Sequence, residues 1–153
     1  MAFIGRNSKE IRSPEIFAAA KTLRSQYKKV GAIGFCYGGW AVFQLGAKGQ
    51  NLVDCISTAH PSILTKEEVD AVGVPVQILA PEQDPMYTQE LKDYTNNTIP
   101  GLGVDYQYDY YPGVAHGFAT KGNPEDKGQR EALERAKRSA VAWFVNYLQE
   151  VKK

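Results

Sequence analysis

The hydrophobic residues of this chain form short apolar runs that alternate with longer amphipathic stretches. The runs VGAIGF (30–35), LVDCISTAH (52–60) and VPVQILAPE (74–82) have the length and apolar content of buried parallel strands. The stretch VDYQYDYYP (104–112) alternates in part and predicts a fourth strand. Strands that alternate with helical stretches predict an α/β fold with a mostly parallel sheet flanked by helices.

Helices are predicted between and after these strands. Ser13-Pro14 is a favourable helix start, because serine caps a helix and proline fits its first turn. The apolar residues that follow share one helical face: Ile16, Ala20, Leu23 and Tyr27. Further helices are predicted over 38–48 and 88–96. A last helix is expected over about 126–151, where apolar residues keep a spacing of three or four: Leu133, Ala136, Ala140, Phe144, Leu148 and Val151.

The length of 153 residues indicates one domain. Residues 1–12 precede the first predicted helix and are expected to form an irregular arm, with the domain itself over 13–153. No repeat or linker divides the chain.

Composition narrows the functional classes. The formal net charge is +1, with acidic and basic residues interleaved, which gives no support for binding to nucleic acid or to an anionic membrane. No stretch approaches the roughly 20 apolar residues of a membrane span. The start of the chain, MAFIGRNSKE, is too short and too polar for a signal peptide. We therefore expect a cytoplasmic protein.

The cysteine and histidine content argues against a metal site. The two cysteines, Cys36 and Cys55, are expected to be free thiols of a reducing compartment. Together with the two histidines, they show no metal-ligand spacing along the chain. Cys55 is expected in the core, and His60 is expected to be a strand-end residue.

The segment GFCYG (34–38) places a cysteine between an apolar run and a predicted helix. A sharp strand–turn–helix of this kind is a nucleophile elbow, in which the residues two before and two after the nucleophile must be small. Gly34 and Gly38 meet that need. The helix N-terminus also favours a thiolate at Cys36. On these five residues alone, a buried structural thiol remains an equal alternative.

Two later segments favour the nucleophile. In α/β-hydrolases the acid and then the base follow the nucleophile along the chain, each after a later strand. Asp84 follows the third predicted strand and His116 follows the fourth. Glu82 is an alternative candidate for the acid, but it lies closer to the strand. Asp84 alone would fit a turn before proline, and His116 alone would fit an ordinary loop, but the ordered set of three predicts an active site.

Four segments of the chain resemble the dienelactone hydrolase family, especially its fungal-type members: GAIGFCYGG, AHPS, QDP and GVAHGFATKG. The resemblance runs from about residue 13 to the C-terminus. It implies an α/β-hydrolase fold with a triad of Cys36, Asp84 and His116. It also implies cofactor-free hydrolysis of a small lactone or activated ester.

The implied mechanism assigns a role to each residue. His116 takes the proton of Cys36, and Asp84 holds the imidazole in its working tautomer. The main-chain N–H of Tyr37 donates to the oxyanion. The side chains of Tyr37, Phe118 and Lys121 are candidate substrate contacts. Lys121 lies where the family places an arginine, so dienelactone itself is a doubtful substrate.

The resemblance also implies a difference from the family, whose chains are longer at the N-terminus: if the helix that begins near residue 13 precedes the nucleophile strand, the family's early strands, and with them a second oxyanion donor, are expected to be absent from this sequence. One edge of the strand at 30–35 would then have no neighbour. An apolar unpaired edge invites another chain, so we expect a homodimer built near residues 1–40. Such an interface could bring residues of the second copy to Cys36. The alternative is that the N-terminal arm covers the edge.

Two other functions remain open from the sequence. The same pocket could serve a non-hydrolytic isomerase or cyclase, with His116 as acid and base. A truncated relative could also act as a non-catalytic binding or assembly subunit that retains the motifs by descent.

Overall fold

The computed structural model describes residues 2–149, which form a four-stranded sheet in the order β1-β2-β3-β4. Every neighbouring pair of strands is parallel. The strands are β1 (Gly31–Phe35), β2 (Cys55–Ala59), β3 (Val76–Gln83) and β4 (Tyr106–Ala115). The four predicted strands and the parallel α/β class are therefore confirmed.

The helices of the described residues pack on this sheet or extend from it. They are α1 (Ala2–Arg6), α2 (Lys9–Gln26), α3 (Gly38–Leu45), α4 (Lys66–Asp70), α5 (Gln89–Thr98), α6 (Phe118–Lys121) and α7 (Lys127–Leu148). A 3₁₀ helix over Ile99–Leu102 follows α5. Among residues 2–149, no helix has the length and apolar content needed to cross a membrane.

The prediction of an irregular arm over residues 1–12 is wrong for the described residues. They form α1 and the first turn of α2, which begins at Lys9 rather than at Pro14. Pro14 lies inside α2, and Ser8 holds the N-cap position. A contact distant in sequence anchors this start, since the Lys9 ammonium lies 2.6 Å from a carboxylate oxygen of Glu68. Local capping signals could not reveal that ion pair.

The predicted apolar face of α2 is only partly buried. Ala20 is buried and Ile16 packs at the rim of the core. Leu23 is 45% exposed and Tyr27 is 59% exposed, so the outer half of the predicted stripe faces solvent.

The last helix begins as predicted. Asp126 caps α7 by accepting a hydrogen bond from the main-chain N–H of Gln129 at 2.9 Å. Its inner face includes Ala136, Ala140 and Trp143, which are buried. The helix ends at Leu148, and the predicted final residue Val151 lies outside the described residues.

Side chains alternate between the two faces of the sheet and build two cores. On one face Phe43 of α3 packs with Ile56 and Ile78. On the other face Ala59 and Leu79 pack with the small residues of α7. Because all four strands are parallel, their carboxyl ends meet at one edge, where open α/β sheets bind ligands.

Candidate active site

The turn after β1 presents Cys36 at the carboxyl edge of the sheet. Cys36 has a φ of 50°, a left-handed conformation that is costly for a residue with a side chain. The surrounding chain fixes it. Its N–H donates to the Ala59 carbonyl at 3.1 Å, and its carbonyl accepts from the N–H groups of Gly39 and Ser62 at 2.9 and 2.8 Å. The strand, the strained residue and the helix have the strand–turn–helix geometry that was predicted, and a nucleophilic role for Cys36 stays a prediction.

Steric crowding in this turn requires glycine at one of the two positions where the sequence predicted a small residue. A Cβ at Gly34 would lie 2.1 Å from the carbonyl oxygen of Gly38, so only glycine fits. A Cβ at Gly38 would meet nothing within 4 Å, and the prediction of a steric need there is wrong. The second crowded position is Gly39, where a Cβ would lie 2.4 Å from the Cβ of Pro61.

A pair of alanine substitutions tests this reading of the turn. Gly34→Ala is expected to lower the free energy of unfolding by about 3 kcal/mol or more, because the clash is with the main chain. Gly38→Ala is the matched control and is expected to stay within about 1 kcal/mol of the parent. Urea unfolding of the two variants measures the difference. Equal stabilities would show that the turn is not tightly packed at Gly34.

The three predicted triad residues converge. The Cys36 Sγ lies 3.0 Å from His116 Nε2. On the other side of the ring, His116 Nδ1 lies 2.8 and 2.9 Å from the two carboxylate oxygens of Asp84. Because an ionised carboxylate only accepts, Nδ1 carries the hydrogen and Nε2 is left to face the thiol. The structure thus brings the three side chains into contact, and their catalytic roles stay a prediction.

Local hydrogen bonds fix the acid of this set. Asp84 Oδ1 also accepts from the main-chain N–H groups of Met86 and Tyr87, at 2.8 and 2.9 Å. The rival carboxylate, Glu82, instead accepts from the N–H of Gly113 at 2.7 Å. Asp84 is therefore the carboxylate that orients the histidine.

The site favours the charged forms of the thiol and the imidazole. Burial alone would raise the pKa of Cys36, but hydrogen bonds from His116, Ser62 and the Tyr37 main chain lower that pKa below its ordinary value. Burial alone would lower the pKa of His116, but its bonds to Cys36 and Asp84 raise that pKa. A thiolate and an imidazolium therefore form together at a lower pH than an isolated cysteine would allow.

Two further residues, His60 and Ser62, contact the triad side chains, and the sequence analysis did not include them in the site. Both lie in the turn after β2, which the parallel sheet brings to the same edge as Cys36. The Ser62 hydroxyl is buried and lies 3.6 Å from Cys36 Sγ. His60 is the strand-end residue that was predicted, but its ring also packs edge to face on His116, with centroids 5.0 Å apart. Burial lowers the pKa of His60 to about 4, so it is neutral near pH 7.

The candidate substrate contacts occupy different surroundings. The Tyr37 ring packs between Phe3 and Trp40, and its hydroxyl donates to the carbonyl of Asn7. Phe118 is buried at the start of α6. Phe118 and the exposed Lys121 line a cavity of about 170 Å³ that also borders His116. Substrate-binding roles for these side chains stay predictions.

The pH dependence of thiol alkylation tests the contribution of Ser62. The midpoint of the Cys36 alkylation rate is expected below the ordinary thiol value of about 8.5. Ser62→Ala removes a donor to the thiolate, so its midpoint should move to higher pH. Iodoacetamide rates followed by intact mass measure both values. The exposed Ser25→Ala is the control, and an unmoved midpoint in Ser62→Ala would contradict the assigned role.

The described residues hold no group of three or more His, Cys, Asp or Glu side chains that could bind a metal ion.

A parallel sheet that brings together a cysteine in a tight strand–helix turn, a later aspartate and a still later histidine has the arrangement of an α/β-hydrolase. The family to which the chain belongs is also shown. The model of the dienelactone hydrolase family matches residues 4–148, and the chain belongs to that family.

Curated relatives agree with this placement. Hydrolase tropI of Talaromyces stipitatus is 32% identical over 143 residues, which cover 92% of this chain and 56% of the relative. The carboxymethylenebutenolidase homolog of Homo sapiens is 26% identical, over 94% of this chain and 59% of the relative. The chain thus spans little more than half the length of these relatives.

Solved structures show the same fold. A dienelactone hydrolase-like promiscuous phosphotriesterase from metagenomic libraries superposes with a TM-score of 0.72 at 21% identity, over 93% of this chain and 64% of that one. The dienelactone hydrolase of Anabaena variabilis gives a TM-score of 0.70 at 20% identity, over 93% and 62%. At these identities the likeness shows the fold alone.

Proposed function

We propose that this chain is a cofactor-free hydrolase of small activated esters or lactones, acting through a thioester on Cys36. One observation carries the proposal. His116 bridges the other two groups, with Nε2 3.0 Å from Cys36 Sγ and Nδ1 2.8 Å from Asp84 Oδ1. That geometry is the one a histidine needs to move protons to and from a nucleophile.

The first half of the reaction forms the thioester. His116 takes the Cys36 proton, and the thiolate adds to the carbonyl carbon of the substrate. The oxyanion accepts a hydrogen bond from the main-chain N–H of Tyr37, the residue after the nucleophile. The C–O bond to the leaving group then breaks, and His116 returns the proton to the departing oxygen.

The second half regenerates the thiol. His116 removes a proton from water, and the resulting hydroxide adds to the thioester carbonyl. The C–S bond breaks, Cys36 regains its proton and the carboxylic acid leaves. With a lactone the alcohol oxygen stays in the same molecule, so the product is a hydroxy acid.

The properties of the thiol favour activated substrates. A thiolate is a better leaving group than an ordinary alkoxide, so an unactivated ester would expel the sulfur again. Phenolates and enolates leave far more readily than ordinary alkoxides, so phenolic and enolic esters, including enol lactones, are the substrates that suit this nucleophile. Both cysteines are free thiols, which suits an enzyme of the reducing cytoplasm.

Hydrolysis in isotopic water separates this proposal from isomerase or cyclase chemistry. The chain is incubated with a small enol lactone in H₂¹⁸O, and the product is analysed by mass spectrometry. We expect one ¹⁸O atom in the carboxylic acid, because water attacks the thioester carbonyl. A product of unchanged elemental composition would instead identify an isomerase. An unconsumed lactone, with activated esters also untouched, would overturn the hydrolase proposal.

A further inference from the structure

Lys92 of α5 is a buried lysine, with 2% of its surface exposed. Its ammonium donates to the main-chain carbonyls of Pro81 and Glu82, at 2.5 and 2.9 Å. Lysine is rarely buried, because taking an ammonium out of water costs several kcal/mol. The preceding residue, Leu91, packs in the core, and an apolar side chain would be buried beside it at less cost. Packing alone therefore does not account for a lysine at this position.

The carbonyls that the ammonium holds lie where β3 leaves regular pairing. Pro81 pairs with Tyr111 of β4, and the next pair is Gln83 with Ala115, so the register shifts between them. The ladder hydrogen bonds of a strand are interrupted at such an irregularity. Main-chain carbonyls in the interior then need another donor, and the lysine of α5 supplies it.

The same segment carries the acid of the candidate site and an anchor of its histidine. Asp84 directly follows Gln83, and its side chain is fully buried. The main-chain carbonyl of Gln83 accepts from the N–H of His116 at 2.9 Å. A displacement of residues 81–83 would therefore move both the carboxylate and the imidazole.

Helix α5 also holds the chain beyond the carboxylate. Asp84 Oδ1 accepts from the Tyr87 N–H at 2.9 Å, and the buried Tyr87 hydroxyl donates to Thr95 Oγ1 at 2.9 Å. Thr95 lies about one turn after Lys92 on the same helix. Residues 81–87, which we call the acid segment, are thus bound to α5 on both sides of Asp84.

We propose that Lys92 is a positioning residue, which fixes the acid segment so that Asp84 stays in contact with His116. Lys92 acts through the main-chain carbonyls that it holds and not on the reacting atoms. Its role in catalysis rests on the function proposed above for Cys36.

Charge acts in the same direction as geometry. Burial lowers the pKa of Lys92, whereas the negative charges of Asp84 and Glu82 act to raise it. The attraction is mutual, so the ammonium favours the ionised carboxylate that accepts from the His116 Nδ1–H.

Loss of the ammonium would leave two carbonyls without their donor. A buried polar group without a partner costs about 1–3 kcal/mol, and the acid segment can avoid that cost by turning its carbonyls toward water. Such a turn would displace Asp84. A misplacement of about 1 Å in a catalytic arrangement can lower the rate by about 100-fold.

Lys92→Met tests the proposal, because methionine keeps a long unbranched apolar side chain but has no N–H to donate. We expect kcat for p-nitrophenyl acetate to fall by about 10- to 100-fold, with KM within about two-fold of the parent. The low-field ¹H NMR signal of the His116 Nδ1 proton reports the bond to Asp84 and should shift or broaden. Leu91→Ala is the control, since it removes core packing from the same helix but contacts neither carbonyl. Its kcat should stay within about two-fold of the parent, with the NMR signal unchanged.

Far-UV circular dichroism establishes that each variant is folded. If Lys92→Met is not, Lys92→Gln decides the outcome, because its shorter amide reaches at most one carbonyl, and kcat should then fall by about five-fold or more. An unchanged His116 signal in the folded variant would overturn the proposal, whatever its kcat, and so would an equal loss of kcat in Leu91→Ala. The NMR signal needs no substrate, so a parent chain without esterase activity would refute the hydrolase function and leave the positioning role to be decided by the spectrum.

Discussion

Replacing Cys36 with alanine is expected to reduce ester hydrolysis by about 10⁴- to 10⁶-fold in kcat, because the group that forms the acyl intermediate is lost. Cys36→Ser keeps a nucleophilic oxygen on the elbow and should retain a trace of activity. The serine hydroxyl is much less acidic than the thiol, so His116 activates it less well. Release of p-nitrophenol from p-nitrophenyl acetate measures all three proteins.

The second cysteine provides the matched control. Cys55 is fully buried in β2, and burial raises the pKa of its thiol to about 11. It is neither exposed nor ionised at neutral pH, so Cys55→Ala should keep activity within about two-fold of the parent. Unchanged hydrolysis by Cys36→Ala would show that another residue is the nucleophile and would contradict the role proposed for Cys36.

Replacing Asp84 with asparagine is expected to lower kcat by about 10⁴-fold while leaving the fold intact. The asparagine amide can donate to His116 Nδ1, which favours the tautomer with its hydrogen on Nε2. That tautomer cannot accept the Cys36 proton. The amide oxygen can still accept from Met86 and Tyr87, the two main-chain donors that Asp84 satisfies. Thermal unfolding should therefore change little.

Glu82→Gln is the control for this substitution. Glu82 lies two residues earlier and caps the Gly113 N–H rather than the histidine, so its loss should change kcat by less than about three-fold. Equal losses of kcat in Asp84→Asn and Glu82→Gln would show that the loop tolerates no substitution at either position. An Asp84→Asn protein with more than a tenth of the parent activity would contradict the orienting role.

Much of the site was predictable because its members follow strands. Cys36, Asp84 and His116 each follow a predicted strand, and parallel strands bring their carboxyl ends to one edge. Chain order then assigned the roles of nucleophile, acid and base. The same alternation of apolar runs and amphipathic stretches predicted the sheet, because buried parallel strands carry few polar residues.

Features that depend on tertiary contacts were not predictable from local pattern. Ser62 lies near the sulfur because its N–H donates to the Cys36 carbonyl, which joins the turn after β2 to the turn after β1. The early start of α2 depends on Lys9 meeting Glu68, far away in sequence. Likewise, Gly39 rather than Gly38 is crowded, because Pro61 of the next loop lies against it. In each case the feature depends on a contact with a residue that is distant in the sequence.

Trapping the acyl-enzyme tests the central claim most directly. The chain is mixed with p-nitrophenyl acetate, quenched in acid within seconds and measured by intact mass and peptide mapping. We predict one added acetyl group per chain, located on Cys36, absent from Cys36→Ala and accumulating further in Asp84→Asn if deacylation is the slower step. Ester turnover with no acetyl group on Cys36, or with the group on another residue, would contradict a thioester mechanism.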